Sequence, residues 1–202
     1  MHPKVKICGM KNAETIKTAI DHKVDFLGFV FYPDSPRNLT PKQAAKLTKN
    51  IPNHIGRVAV LVNETDQFIE YIKNDFDYFQ LHGNEDVKRI KEIRQKFNKK
   101  IIKVIKVTNE DSAKTYSQYG DEVDMFLFDS PAMEKSAKFD WQILPKLKIT
   151  KPYLVAGSIN INNVDEVLKY NPYGIDVSGG VEKNRGVKCG DKIIKFLDKV
   201  KT

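Results

Sequence analysis

Eight short runs rich in β-branched and aromatic residues recur along the chain, and most are separated by stretches with a different period. The runs are VKICG (5–9), DFLGFVF (25–31), RVAVLV (57–62), DYFQLHG (77–83), IIKVIKV (101–107), DMFLFD (124–129), PYLVAG (152–157) and GIDVSGG (174–180). They read as strands. Between them, apolar residues return at helical spacing, as in Ile16/Ala19/Ile20, Phe68/Ile69/Ile72, Val164/Val167/Leu168 and Ile193/Ile194/Leu197/Val200. Thr40-Pro41-Lys42-Gln43 forms a capping box with proline at the first helical position, so a helix is predicted to start there. Asn160 is predicted to cap a helix beginning at Ile161.

Strands alternating with helices imply a parallel sheet with right-handed crossovers. Strand starts lie about 20–30 residues apart, one βα unit each. Eight such units predict an α/β fold of the closed (β/α)8 TIM-barrel type, for which about 200 residues is the lower size limit. A flavodoxin-like open sheet needs fewer strands, and no G-x-G-x-x-G follows the first strand as a Rossmann domain would require. No linker, low-complexity tract or composition shift divides the sequence, so residues 1–202 are expected to form a single domain.

Composition narrows the class. At 202 residues, 41% hydrophobic and 30% charged, the chain has enough apolar material for a sizeable core and too much for disorder. No run approaches the length of a membrane span, and MHPKVKICGM lacks the apolar stretch of a signal peptide. Cys8 and Cys189 are the only cysteines, which suits reduced thiols and a cytoplasmic protein. The net charge of +8 raises the question of nucleic acid. The densest basic stretch, Lys88 to Lys106, falls largely on the polar positions of a helix whose Val87, Ile90, Ile93 and Phe97 face inward, and it lacks interleaved aromatics for base stacking. It is expected to be a solvated face, with neither nucleic acid nor membrane as partner.

A (β/α)8 barrel places its chemistry at the C-terminal strand ends. Those ends carry Cys8-Gly9, Ser35-Pro36-Arg37, Asn63, Gln80-Leu81-His82-Gly83, Lys106, Asp129, Ala156-Gly157-Ser158 and Ser178-Gly179-Gly180. The last two loops, with Gly157, Ser158, Ser178, Gly179 and Gly180, follow strands 7 and 8, where backbone N–H groups commonly hold phosphate. Cys8 is either a small buried hydrophobe or a rim nucleophile or base. Asp129 ends an apolar run, so its carboxyl either caps a loop or transfers a proton. His82 is a base or a residue oriented towards a ligand, whereas His2, His22 and His54 sit in terminal or loop contexts. No His, Cys or carboxylate cluster has metal-ligand spacing, and there is no G-x-x-x-x-G-K-[ST] loop or G-x-S-x-G elbow. The residues therefore describe a barrel acting without metal or cofactor on a phosphorylated small molecule by proton transfer. They leave the molecule open.

The same motifs, in order, resemble the phosphoribosylanthranilate isomerase family from end to end. The matching pieces are KICGM (6–10), GFVFYPDSPR (28–37), QLHGNE (80–85), LFD (127–129), FDW (139–141), AGSIN (156–160) and IDVSGGVE with GVK (175–188). The resemblance implies a cofactor-free Amadori rearrangement of N-(5-phosphoribosyl)anthranilate in tryptophan biosynthesis. It makes Cys8 the general base and Asp129 the general acid, sets Arg37 before the anthranilate carboxylate, and has His82 positioning the substrate. Loops 157–158 and 178–180 would hold the phosphate, in a monomer or homodimer. Two departures stand out: SPAMEKSAK (130–138) has no glycine where the family is glycine-rich, and AGS replaces the usual AGG at strand 7. The other outcome for such a sequence is a non-catalytic or divergent phosphosugar-binding barrel. A pentose-phosphate-type epimerase would want histidine ligands at strand ends, and an indole-forming synthase would want catalytic lysine and glutamate.

Overall fold

The computed structural model describes residues 2–130 and 139–201. Its strands β1 (Lys4–Cys8), β2 (Phe26–Phe31), β3 (Gly56–Leu61), β4 (Tyr78–Leu81), β5 (Lys100–Lys106), β6 (Met125–Asp129), β7 (Tyr153–Val155) and β8 (Gly174–Val177) are the eight predicted runs with their ends displaced by up to three residues, β1, β3 and β5 each starting one residue early. They hydrogen-bond in sequential order, all parallel, and β1 pairs with β8 to close the barrel. The main helices are α1 (Ala13–Asp21), α2 (Pro41–Thr48), α3 (Asp66–Ile72), α4 (Val87–Phe97), α5 (Glu110–Lys114), α6 (Val164–Leu168) and α7 (Gly190–Lys201). Between β6 and β7 the described chain forms only a 3₁₀ segment, Trp141–Lys146.

Strand parity sorts the core into two layers, because successive side chains point to opposite faces. One parity fills the barrel interior with Phe26, Val58, Ile102, Val104, Met125, Leu127, Leu154 and Ala156, and Tyr78 stands edge-on to Phe26 at 5.5 Å. The other parity, including Ile7, Leu27, Phe29, Phe79 and Phe128, packs under the helices against residues such as Ile16, Ile69, Ile93, Val167 and Leu197. Both faces of each strand are covered, which is why the strands read as nearly continuous apolar runs.

The N-terminal end of the barrel is stitched by a repeated device. Asp25, Asp77 and Asp124 precede β2, β4 and β6, and each accepts a backbone N–H from the preceding strand: Val5 at 2.7 Å, Arg57 at 2.9 Å and Ile101 at 2.8 Å. Each is also ion-paired, to Lys4 and Lys201, to Arg57, and to Arg94 respectively. Placing these carboxylates below the barrel leaves the opposite rim for chemistry.

The capping box at Thr40 is present with both reciprocal bonds. The start predicted at Ile161 is displaced: residues 161–163 form a turn in which Asn160 Oδ1 accepts from the Asn162 N–H at 2.9 Å, and the helix begins at Val164. The lysine-rich face of α4 is solvated as expected, but Lys103 departs from that pattern. It is buried against Glu85 at 2.9 Å, because its position on β5 lies under the β4–α4 loop. Of the glycine-poor stretch 130–138, residues 131–138 lie outside the described residues.

Candidate active site

Lys6, Cys8, Gln80, Asp129 and Asp176 all fall on the inward parity of their strands, and His82 continues that parity just beyond β4. The C-terminal half of the barrel interior is consequently polar and titratable, above an apolar floor. Cys8 ends β1, and Gly9 turns the chain at φ +82°, the left-handed region that glycine enters without cost. A Cβ at Gly9 would overlap the Arg37 side chain, so glycine also makes room for that residue just beyond the end of β1.

Asp129 ends β6 with its carboxyl mostly enclosed. Burial, reinforced by the nearby Asp176 carboxyl, pushes its pKa up to about 7, against the opposing pull of the Ser130 backbone N–H and the Lys6 and Lys106 ammonium groups. A carboxyl poised there is a proton donor near neutral pH. His82 Nε2 lies 3.7 Å from Asp129 Oδ2, and the Gln80 amide nitrogen stands 3.4 Å from His82 Nδ1. Burial and the cationic Lys106 hold the imidazole down to about 4, so His82 is a neutral neighbour of the acid at pH 7. A base of that strength is poor, and the orienting alternative for His82 is the better fit.

Cys8 sits in a buried charged cluster that the sequence reading missed. Lys6, fully enclosed in the barrel, donates to Asp176 Oδ2 across the β1–β8 seam at 3.0 Å. Asp176 Oδ1 is buried without a hydrogen-bond partner among the described residues. Burial raises the Cys8 thiol, and the Lys6 and Lys188 ammonium groups oppose that rise. The signal in the sequence was a charge at inward parity on two strands that pair, Lys6 in VKIC and Asp176 in GIDV. Only closure of the barrel makes those strands neighbours.

After β8 the chain forms a 3₁₀ turn (Gly179–Val181) and a small hairpin, β9 (Glu182–Asn184) and β10 (Val187–Lys188), which packs against the loop after β2 at Pro36 and Arg37. Glu182 grips Arg37 through two bonds, Nε at 2.7 Å and Nη2 at 2.8 Å, and also accepts from Lys188 at 2.7 Å. Although burial opposes it, these donors hold the Glu182 carboxyl down to about 2. One edge of the Arg37 guanidinium is therefore occupied, leaving Nη1 and the outer side of Nη2 for a ligand. Glu182 and Lys188 lie in the motifs VE and GVK, but no pattern in the sequence pairs them with Arg37.

The two glycine-bearing loops meet. A Cβ at Gly180 would overlap the Ile159 carbonyl, and one at Gly157 would overlap the Ser130 hydroxyl, so the loops after β6, β7 and β8 pack edge to edge. Ser158 and Gly179 are exposed on this surface. Ser158 adopts φ +52°, a conformation that favours glycine, at the position where AGS replaces AGG. The Ser178 hydroxyl is engaged internally: it donates to the Cys8 carbonyl at 3.0 Å and stands 3.2 Å from Lys188 Nζ. Any anion held here would rely on the backbone N–H groups and Ser158.

A closed barrel with a near-neutral carboxyl and a half-buried thiol beside a buried lysine–carboxylate pair at its C-terminal rim defines a (β/α)8-barrel enzyme of the proton-transfer kind. The family model of N-(5′-phosphoribosyl)anthranilate (PRA) isomerase matches residues 5–199. Among curated relatives, N-(5′-phosphoribosyl)anthranilate isomerase of Bradyrhizobium diazoefficiens is 36% identical over 96% of this chain and 91% of its own length. That of Zymomonas mobilis is 34% identical over 100% and 99%. Among solved structures, phosphoribosyl anthranilate isomerase from Thermotoga maritima superposes with a TM-score of 0.89 at 31% identity, covering 98% of each chain. A phosphoribosyl anthranilate isomerase in complex with reduced 1-(o-carboxyphenylamino)-1-deoxyribulose 5-phosphate gives 0.86 at 31% identity, again over 98% of each chain. The chain belongs to the phosphoribosylanthranilate isomerase family.

Proposed function

We propose that this enzyme converts N-(5-phosphoribosyl)anthranilate to 1-(2-carboxyphenylamino)-1-deoxyribulose 5-phosphate, a step of tryptophan biosynthesis, with Asp129 as general acid and Cys8 as general base. The observation that carries the assignment of the acid is the Asp129 carboxyl, pushed up to about 7 at the end of β6. Asp129 gives its proton to the furanose ring oxygen, the C1′–O bond breaks, and the anthranilate nitrogen lone pair forms the C1′=N bond of a Schiff base. The Cys8 thiolate then takes the C2′ proton, and the C2′–H electron pair becomes the C1′=C2′ bond of an enolamine. Transfer of a proton to C1′ and loss of the one on the 2′-hydroxyl gives the ketone. No oxidant or reductant enters, because the aldose carbon is reduced as its neighbour is oxidised.

Arg37 faces the anthranilate carboxylate with the guanidinium edge that Glu182 leaves free. His82, neutral and beside Asp129, orients the sugar. The phosphate is received by the joined surface of loops 157–158 and 178–180, where backbone N–H groups and Ser158 offer donors. One chain carries all of these groups, in a monomer or a homodimer working in the cytoplasm. Among the described residues no helix is long and apolar enough to cross a membrane.

The test couples the purified protein to the upstream transferase with anthranilate and phosphoribosyl pyrophosphate and follows the loss of substrate fluorescence. Turnover together with rescue of a tryptophan-requiring bacterial strain lacking this isomerase is expected. A soluble, folded protein that neither turns over substrate nor rescues the strain refutes the assignment in favour of a non-catalytic phosphosugar-binding barrel.

A further inference from the structure

We propose that Lys6 is a positioning residue for the reaction: its buried ammonium, anchored by Asp176, stabilises the Cys8 thiolate inside the barrel. This rests on Cys8 being the base. Three observations support it. Lys6 is fully buried, and a lysine is not enclosed in a barrel interior unless its charge is paired. Asp176 supplies that pair at 3.0 Å from the neighbouring strand, which aims the long side chain along the interior towards the rim. The third observation lies on β2. Gly28 stands opposite Cys8 in the β1–β2 register, and a Cβ there would meet Cys8 Sγ at 3.0 Å and Lys6 Nζ at 3.1 Å. The bare Cα of Gly28 thus leaves one small space in which the sulfur and the ammonium face each other.

The charged groups facing Cys8 are Lys6 on β1, Asp176 on β8 and Lys188 on β10, while β2 contributes only Gly28. Burial favours the neutral thiol and Asp176 favours it further; Lys6, the larger of the two cations' effects, opposes both. Lys188 is already committed to Glu182 at 2.7 Å and acts from further along the hairpin. A thiol enclosed at the end of an apolar strand would be a poor base by itself, since only the thiolate accepts the proton. Lys6 offsets part of that disadvantage without touching the substrate.

The experiment measures the pH dependence of Cys8 alkylation by iodoacetamide, read by mass spectrometry on the Cys8 peptide so that Cys189 does not interfere. Lys6→Met is compared with the double variant Lys6→Met/Asp176→Asn, which keeps the shapes and leaves no buried charge unpaired. The alkylation midpoint is expected to rise by about one pH unit or more in Lys6→Met, slowing reaction at pH 7 about tenfold, and to rise by less in the double variant, where the Asp176 charge that favours the thiol is removed as well. The alkaline limb of kcat/KM, set by the thiol because it titrates above Asp129, should move up with it. If Lys6→Met fails to fold, the double variant decides alone. A midpoint in the double variant equal to or below that of the wild type overturns the proposal, as does lost activity with an unmoved alkaline limb, which is what a purely structural lysine would give. Because alkylation reports the thiolate whatever its role, a raised midpoint with full turnover in Cys8→Ala would instead refute Cys8 as base.

Discussion

Asp129→Asn separates the carboxyl's charge from its shape, and the structure assigns a sign and a size to both consequences. The carboxyl's ordinary pKa of 3.8 becomes about 7 in the folded protein, chiefly through burial. A group whose folded pKa is raised contributes stability that is complete below the unfolded value and is lost as pH rises through the folded one. The window is therefore from about 4 to about 7. At about 1.4 kcal/mol per pH unit the full loss is about 4 kcal/mol, and about 3 kcal/mol of it falls between pH 5 and pH 9. Asparagine does not titrate, so its advantage over aspartate should grow by up to that amount across the interval. For a chain of this size that is a widening in Tm of up to about 10 °C, measured by thermal unfolding of both proteins at the two pH values. Activity moves oppositely: kcat of the variant should fall by about 10²–10⁴-fold, and the wild-type kcat/KM should stop rising near pH 7, where ionisation of the acid begins to cancel the growing thiolate fraction of Cys8. An unchanged Tm difference between pH 5 and pH 9 would show that the carboxyl is not held neutral. A variant with weakened binding and intact kcat would place Asp129 in substrate contact instead of proton transfer.

Cys8→Ala should abolish turnover with substrate affinity and fold nearly intact, checked by steady-state kinetics beside equilibrium binding; near wild-type rates would remove Cys8 from the mechanism. Gly179→Asp should fold normally, since a Cβ there meets nothing nearer than Arg37 Nη2 at 3.9 Å. It should nevertheless abolish competition by inorganic phosphate and raise KM, and retained phosphate inhibition would disprove the loop assignment. Ser158→Gly relieves a left-handed serine, which costs about 1–2 kcal/mol, against a glycine entropy penalty of about 0.5–1 kcal/mol. The variant should be as stable as the wild type or up to about 1 kcal/mol more so in denaturant titration, and a clear loss would mean the hydroxyl holds the loop.

The barrel was legible in the sequence because its strands are covered on both faces. That burial writes eight apolar runs at the spacing of βα units, and strand order then follows from chain order. The rim was legible for the same reason: Cys8, His82, Asp129 and the two glycine-bearing loops all stand where an apolar run stops. Asn160 was misread because an Asx turn and a helix cap use the same side-chain chemistry, and only the backbone beyond it decides between them. The Lys6–Asp176 pair lies on the first and last strands, 170 residues apart, and becomes a contact only through barrel closure. Arg37 meets Glu182 through the return of a hairpin whose pairing leaves no period to detect. The Asp129 carboxyl was visible as a residue type in the right place, but its pKa was not. That value is set by how much water the folded barrel excludes and by which charges it brings within reach. Local chain preferences determine the former set of features; long-range proximity, which no local pattern encodes, determines the latter.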